Sequence, residues 1–152
     1  MKIPESRILD LFSGSGALGL EALSRGAGFV VFVEENPKAA QVIRENIKLL
    51  KLEDQCRVYQ RKVEQILSFL KDEPPFDLVF MDPPYEKGYE EKILETWPWE
   101  TLLTGDGRLC IESAVRKDGG FIPPANLKIV RDEKYGGSQL TFYDRAGEAQ
   151  DA

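Results

Sequence analysis

Two segments of this chain, FVVFVE at residues 29–34 and FDLVFMD at 76–82, are apolar almost from end to end. A strand with one wet face would alternate instead. Continuous runs of this kind belong to strands covered on both sides, as in a parallel sheet with helices on its two faces. Strands are expected at Arg7–Phe12, Phe29–Glu34, Cys56–Gln60, Phe76–Asp82 and Arg108–Glu112. Helical patterns lie between them at Ala17–Arg25, Pro37–Lys51, Val63–Lys71 and Tyr89–Thr96. In the second of these, Ala39, Val42, Ile43, Ile47 and Leu50 recur at helical spacing behind Pro37, which suits a first helical turn. Ser24-Arg25-Gly26 reads as a helix end with Gly26 in the left-handed cap. The alternation predicts an α/β fold with a doubly wound, mostly parallel sheet. Leu127–Tyr135 and Gln139–Asp144 flank Gly136-Gly137 and predict a C-terminal antiparallel hairpin. No Gly/Ser linker divides the 152 residues, so one domain over 1–152 is expected, with 146–152 as a frayed tail.

Composition removes several chemistries. Histidine is absent and there are only two cysteines, Cys56 and Cys110. Ser-His and Cys-His catalysis within the chain, zinc clusters and a disulfide framework are therefore excluded, and no metal is expected. The net charge of −6 disfavours nucleic-acid binding over the whole surface while allowing a local basic face. No apolar run approaches the ~20 residues of a membrane span, and Met1–Asp10 has no signal-peptide core, so a cytoplasmic protein is expected.

The first strand runs into Asp10-Leu11-Phe12-Ser13-Gly14-Ser15-Gly16-Ala17-Leu18-Gly19. Gly14, Gly16 and Gly19 satisfy G-x-G-x-x-G between a strand and a helix, and Glu34 ends the next strand where a ribose-binding acid belongs. Glycines let backbone approach a ligand, and a helix N-terminus offers free N–H groups. On the glycines alone, nicotinamide and S-adenosylmethionine both fit. Asp10 separates them. A carboxylate just before the loop would repel a dinucleotide's pyrophosphate, whereas it can pair with the α-ammonium of a methionine moiety.

The fourth strand leads into Asp82-Pro83-Pro84-Tyr85. Ligands of open α/β sheets bind beyond the carboxyl ends of the strands, so this turn belongs beside the glycine loop. Two prolines fix φ and remove two N–H groups, leaving a rigid turn that presents carbonyl oxygens. An amine on a nucleobase is a weak nucleophile because its lone pair is delocalised into the ring. Asp82 and the Pro83 carbonyl would accept its two hydrogens, and Tyr85 would stack on the base for about 1–3 kcal/mol. A base held in a duplex would first be flipped out.

ILDLFSGSGALGLEALSRGA, VFVEENP, VFMDPPY, RLCIESA and KYGGSQLTFYDR together resemble the bacterial 16S rRNA guanine-N2 methyltransferases, the group that modifies guanine 966. The resemblance covers nearly the whole chain. It implies a Rossmann-like class I methyltransferase fold with a seven-stranded sheet. It also implies S-adenosylmethionine as donor and a guanine of 16S rRNA, on an assembling 30S subunit, as acceptor, acted on by a cytoplasmic monomer. Asp10, Phe12, Ser13, Gly14, Gly16 and Glu34 are the cofactor-binding candidates, and Asp82, Pro83, Pro84 and Tyr85 the catalytic ones. The family carries an N-terminal Arg/Pro/Thr-rich segment, whereas only Met1–Ser6 precede the first strand here. Where many relatives have an acidic residue and a small one after the third strand, this chain has Arg61-Lys62-Val63. Glu35 stands where an apolar residue would pack on adenine. The alternatives are an N6-adenine DNA methyltransferase, since the same tetrapeptide handles that amine, and a noncatalytic cofactor- or RNA-binding domain.

The remaining features read more plainly. Arg44, Lys48 and Lys51, with Arg57, Arg61 and Lys62, form a solvated basic face, and Lys87 is a candidate phosphate contact. Glu112 is expected to pair with backbone or a neighbouring cation. Trp97 and Trp99 are expected to pack a helix end, and Cys110 to lie in the core.

Overall fold

The computed structural model describes residues 3–84, 88–115 and 122–147. Tyr85, Lys87 and the tail beyond Gly147 lie outside the described residues. The elements, in chain order, are β1 (Arg7–Leu11), α1 (Ala17–Ser24), β2 (Phe29–Val33), α2 (Pro37–Leu49), β3 (Cys56–Tyr59), α3 (Leu67–Leu70), β4 (Phe76–Met81), α4 (Tyr89–Thr96), α5 (Trp99–Leu102), β5 (Leu103–Ala114), β6 (Leu127–Tyr135) and β7 (Ser138–Arg145). The strands form one seven-stranded sheet in the order β3-β2-β1-β4-β5-β7-β6. The first five run parallel, and β7 pairs antiparallel with both β5 and β6.

The apolar runs are buried on both faces, as their sequence requires. On one face Ile8, Val30 and Phe32 pack with Ala22 and Leu23 of α1 and Ile43 and Ile47 of α2. On the other, Leu9, Leu11, Val31, Val79 and Met81 pack with Ile66, Leu70, Ile93, Trp97 and Trp99. Trp99 is fully buried, and its indole N–H donates to the Leu94 carbonyl at 3.1 Å. Asn36 caps α2, its Oδ1 accepting from Lys38 and Ala39 N–H ahead of Pro37. Gly26 takes φ +100° after α1, and Ala27 N–H returns to the Ala22 carbonyl at 3.0 Å.

Two elements differ from the sequence expectation. The single helix expected over Val63–Lys71 is a 3-10 turn, Val63–Gln65, followed by the four-residue α3. Side chains three apart eclipse in 3-10 geometry, which lets Val63 and Ile66 both reach the core, at 3% and 0% exposure. Pro74 and Pro75 then prevent a longer helix. The fifth strand begins at Leu103 rather than Arg108, because Thr104-Gly105-Asp106-Gly107 runs as an irregular strand with a register shift between Phe76 and Leu78 of β4. Trp99–Leu102 adds a short helix that the periodicity did not single out.

Helix α1 packs tightly on the sheet at Gly19. A Cβ there would lie 2.4 Å from Phe32 Cε1 and 2.9 Å from Val30 Cγ1. Gly19→Ala is expected to destabilise the fold by about 1–3 kcal/mol through overpacking. Urea unfolding measures this, and an unchanged midpoint would mean that the Phe32 ring yields freely.

Candidate active site at the carboxyl edge of the sheet

The chain leaves β1 toward β2 on one side, and β4 pairs with β1 on the other. The loops after β1 and β4 therefore open side by side, at the point where strand order reverses. After β1, Phe12 has φ +58°, Gly14 +58° and Gly16 +81°. A phenylalanine in the left-handed region is strained, and here the turn brings its ring edge-on to Tyr89 with centroids 5.2 Å apart. Ser13 locks the loop to β2: its N–H donates to Val33 O at 3.0 Å, and its Oγ accepts from Val33 N–H at 3.1 Å. A Cβ on Gly14 would meet nothing within 4 Å, so the loop backbone is open on that side. Gly16 begins α1 without a side-chain cap, and the Gly19 N–H turns to Asp10, leaving the amide N–H groups before it to a ligand or water.

Two carboxylates flank this loop. Glu34 follows β2, and its Oε1 and Oε2 accept the Gly14 and Asn36 N–H groups at 2.7 and 2.9 Å. It thus braces the loop, and each oxygen keeps a lone pair for a further donor. Asp10 is only 2% exposed, and its Oδ2 is buried without a hydrogen-bond partner. Burial, with Glu34 and Asp82 adding like charge, raises its carboxyl from 3.8 to about 7 against the lowering effects of the Gly19 amide and Ser13. A buried acceptor without a donor is costly, and a cationic ligand group would supply one.

Asp82, Pro83 and Pro84 follow β4 directly, with Pro83 buried and the other two exposed. Desolvation by the surrounding walls raises the Asp82 carboxyl above its ordinary value. A cleft of 740 Å³ reaches from Phe12 of the glycine loop to the turn after β4, while Asp10, Ser13, Gly14 and Gly16 are not among its walls. Its walls include Phe12, Glu34, Val63, Asp82, Pro83 and Pro84. Glu35 also faces this cleft. A smaller cavity of 440 Å³, between α3 and α5, contains neither motif.

The structure adds residues that sequence reasoning did not single out. Tyr89 opens α4 and packs on Phe12, and its hydroxyl is hydrogen-bonded to Glu64 and also feels Glu35, both of which hold it protonated. Val63, named above only as part of Arg61-Lys62-Val63, supplies a buried apolar wall of the cleft. Only its position after β3 signalled it. Glu112 was expected to pair with backbone or a neighbouring cation, and among the described residues it has neither partner. Burial and the charge of Asp82 instead raise its carboxyl. Arg44 donates to Gln60 at 3.1 Å on the exposed face, away from the cleft walls. Cys110 is core, with its thiol raised to about 12 by burial.

The family model described as "Conserved hypothetical protein 95" matches residues 1–144. Ribosomal RNA small subunit methyltransferase D of Haemophilus influenzae is 34% identical over 139 residues, covering 88% of this chain and 69% of that one. The protein of the same name from Escherichia coli is 32% identical over 149 residues, covering 97% and 73%. Among solved structures, the E. coli protein yhhF superposes with a TM-score of 0.82 at 32% identity, over 96% of this chain and 80% of that one. A Streptococcus pyogenes conserved hypothetical protein gives 0.78 at 34% identity, over 97% and 90%.

Proposed function

Because the chain belongs to the family described as conserved hypothetical protein 95, that of the small-subunit rRNA methyltransferases D, we propose that it methylates the exocyclic N2 amine of a guanine in 16S rRNA. S-adenosylmethionine is the donor, and guanine 966 on an assembling 30S subunit is the expected target. The observation that carries this reading is the cleft walled jointly by Glu34 and Asp82-Pro83-Pro84, with the unpartnered Oδ2 of Asp10 buried close by.

The cofactor, when bound, supplies a methyl group on a positively charged sulfur. Asp10 would hold its α-ammonium, the open backbone at Gly14 would let the methionine moiety approach, and Glu34 would accept from the ribose hydroxyls. Val63 and Phe12 exclude water along the apolar wall. Asp82 and the Pro83 carbonyl accept the two amine hydrogens and turn the nitrogen lone pair out of the ring's conjugation. Tyr85 stacks on the base. Rate comes from orientation and fixed acceptors rather than from a covalent step on the protein.

The test is methyl transfer from labelled S-adenosylmethionine to small subunits that lack the modification, followed by digestion to nucleosides. N2-methylguanosine is expected. Label in N6-methyladenosine, or in no nucleoside while S-adenosylhomocysteine binds, removes the guanine-N2 assignment.

A further inference from the structure

The acceptor side of the edge carries an unused carboxylate. Met81, the last residue of β4, is in register with Ile111 on β5, so Asp82 and Glu112 each follow a paired residue of neighbouring strands, and Glu112 feels the charge of Asp82. Glu112 is half-buried and pairs across to Leu140 of β7. The β6–β7 hairpin tip lies at the end of β5, Val115 N–H donating to the Gly137 carbonyl at 3.1 Å, and Tyr135 beside it is 52% exposed. The carboxylates follow the strand order: Glu34 after β2, Asp10 in β1, Asp82 after β4, Glu112 in β5. Glu34 and Asp82 wall the cleft, and Glu112 lies beyond it on the far side of Asp82. The unpartnered Asp10 Oδ2 independently marks this edge as a ligand site.

We propose that Glu112 selects the acceptor base by accepting the N1–H of guanine while Asp82 and the Pro83 carbonyl accept from the N2 amine. The inference rests on the guanine-N2 reading and assigns its specificity. Among the described residues neither carboxylate has a cation partner, Glu112 feels the charge of Asp82, and a ligand with two adjacent donors relieves that repulsion. Among the four bases only guanine has this edge, with N1–H beside N2–H₂. Adenine and cytosine set a bare ring nitrogen beside their amine, and uracil flanks its single N–H with two carbonyls. A carboxylate facing a ring-nitrogen lone pair has no hydrogen bond to make. Sites built on such matched polar groups reject mismatched ligands strongly.

The experiment uses 2,6-diaminopurine, which keeps the N2 amine but has an acceptor at N1. Small subunits carrying guanine or diaminopurine at the methylated position are compared as substrates for the wild type, Glu112→Gln and Glu112→Ala. Wild type is expected to prefer guanine in kcat/KM by about 100-fold or more. In Glu112→Gln the amide N–H₂ can donate to the diaminopurine N1, and the preference is expected to fall at least about tenfold. Glu112→Ala is expected to lose guanine activity while diaminopurine transfer stays near its wild-type level, so poor folding of one variant does not decide the matter. A guanine/diaminopurine ratio unchanged in both variants overturns the proposal whatever their absolute rates. Absence of guanine-N2 transfer by the wild type is a different result, and it removes the reading beneath along with the inference.

Discussion

Asp82→Ala is expected to lower the turnover of methyl transfer by about two to three orders of magnitude while leaving S-adenosylhomocysteine binding within a few-fold of wild type. The size follows from the loss of one preorganised acceptor aimed at a group whose charge develops in the transition state, typically worth 10²- to 10³-fold. The selectivity follows from position. Asp82 lies beyond β4, at the end of the cleft away from Glu34, and the cofactor's ammonium partner is Asp10. Folding should be almost unaffected, since Asp82 is exposed and makes no side-chain hydrogen bond among the described residues. Substitutions at such positions stay within about 0.5 kcal/mol. Single-turnover transfer and calorimetric titration of S-adenosylhomocysteine on the same preparation measure both halves. Retention of more than a tenth of wild-type turnover removes Asp82 from the chemistry. A parallel collapse of cofactor binding would assign it to the cofactor side instead.

Much of the architecture was legible because it follows from local pattern. The unbroken apolar runs of β2 and β4 identified a sheet covered on both faces, and Gly136-Gly137 between two strand-like runs located the hairpin. The glycine spacing located the loop, but the positive φ of Gly14 and Gly16 became visible only in the fold. What failed to show was set by contacts distant in sequence. Val63 and Ile66 form a 3-10 turn because both must reach the core, which helical periodicity alone does not encode. The start of β5 depends on a register shift against Phe76 and Leu78, so its Thr-Gly-Asp-Gly stretch read as loop. At the site, each motif was visible in itself, but the charge that Glu112 feels from Asp82 depends on how β4 and β5 pair, up to Met81 and Ile111. The edge contact of Tyr89 with Phe12 depends on a strained φ that no propensity announces. The orphaned oxygen of Asp10 was invisible for the same reason: burial belongs to the packed fold, whereas a loop carboxylate looks alike in sequence whether wet or dry.

That burial has a measurable cost, and it sets the pH dependence of cofactor binding. Asp10 is expected to make S-adenosylhomocysteine affinity rise with pH up to about 7 and then level off, at about tenfold per pH unit on the rising limb. The ligand keeps its α-ammonium through this range, so it binds the ionised carboxylate and must expel a proton at lower pH. The same carboxyl weakens the ligand-free fold. Its folded value, about 7, is above the ordinary 3.8 of an unfolded chain. Below pH 4 it is neutral in both states and costs nothing. Between roughly pH 4 and 7 the unfolded chain ionises while the folded one resists, so stability falls as pH rises and stays low above 7. The full penalty is about 4 kcal/mol. Asp10→Asn is therefore expected to raise the melting temperature of the ligand-free protein at pH 8 but not at pH 4, and to abolish both the affinity and its pH slope. Differential scanning calorimetry at the two pH values, with ligand titrations across pH 5–8, measures all of this. Equal melting shifts at pH 4 and 8 would mean that the carboxyl is already ionised in the folded protein at low pH. Its free oxygen would then be solvated, and the buried acceptor on which the cofactor reading leans would be gone.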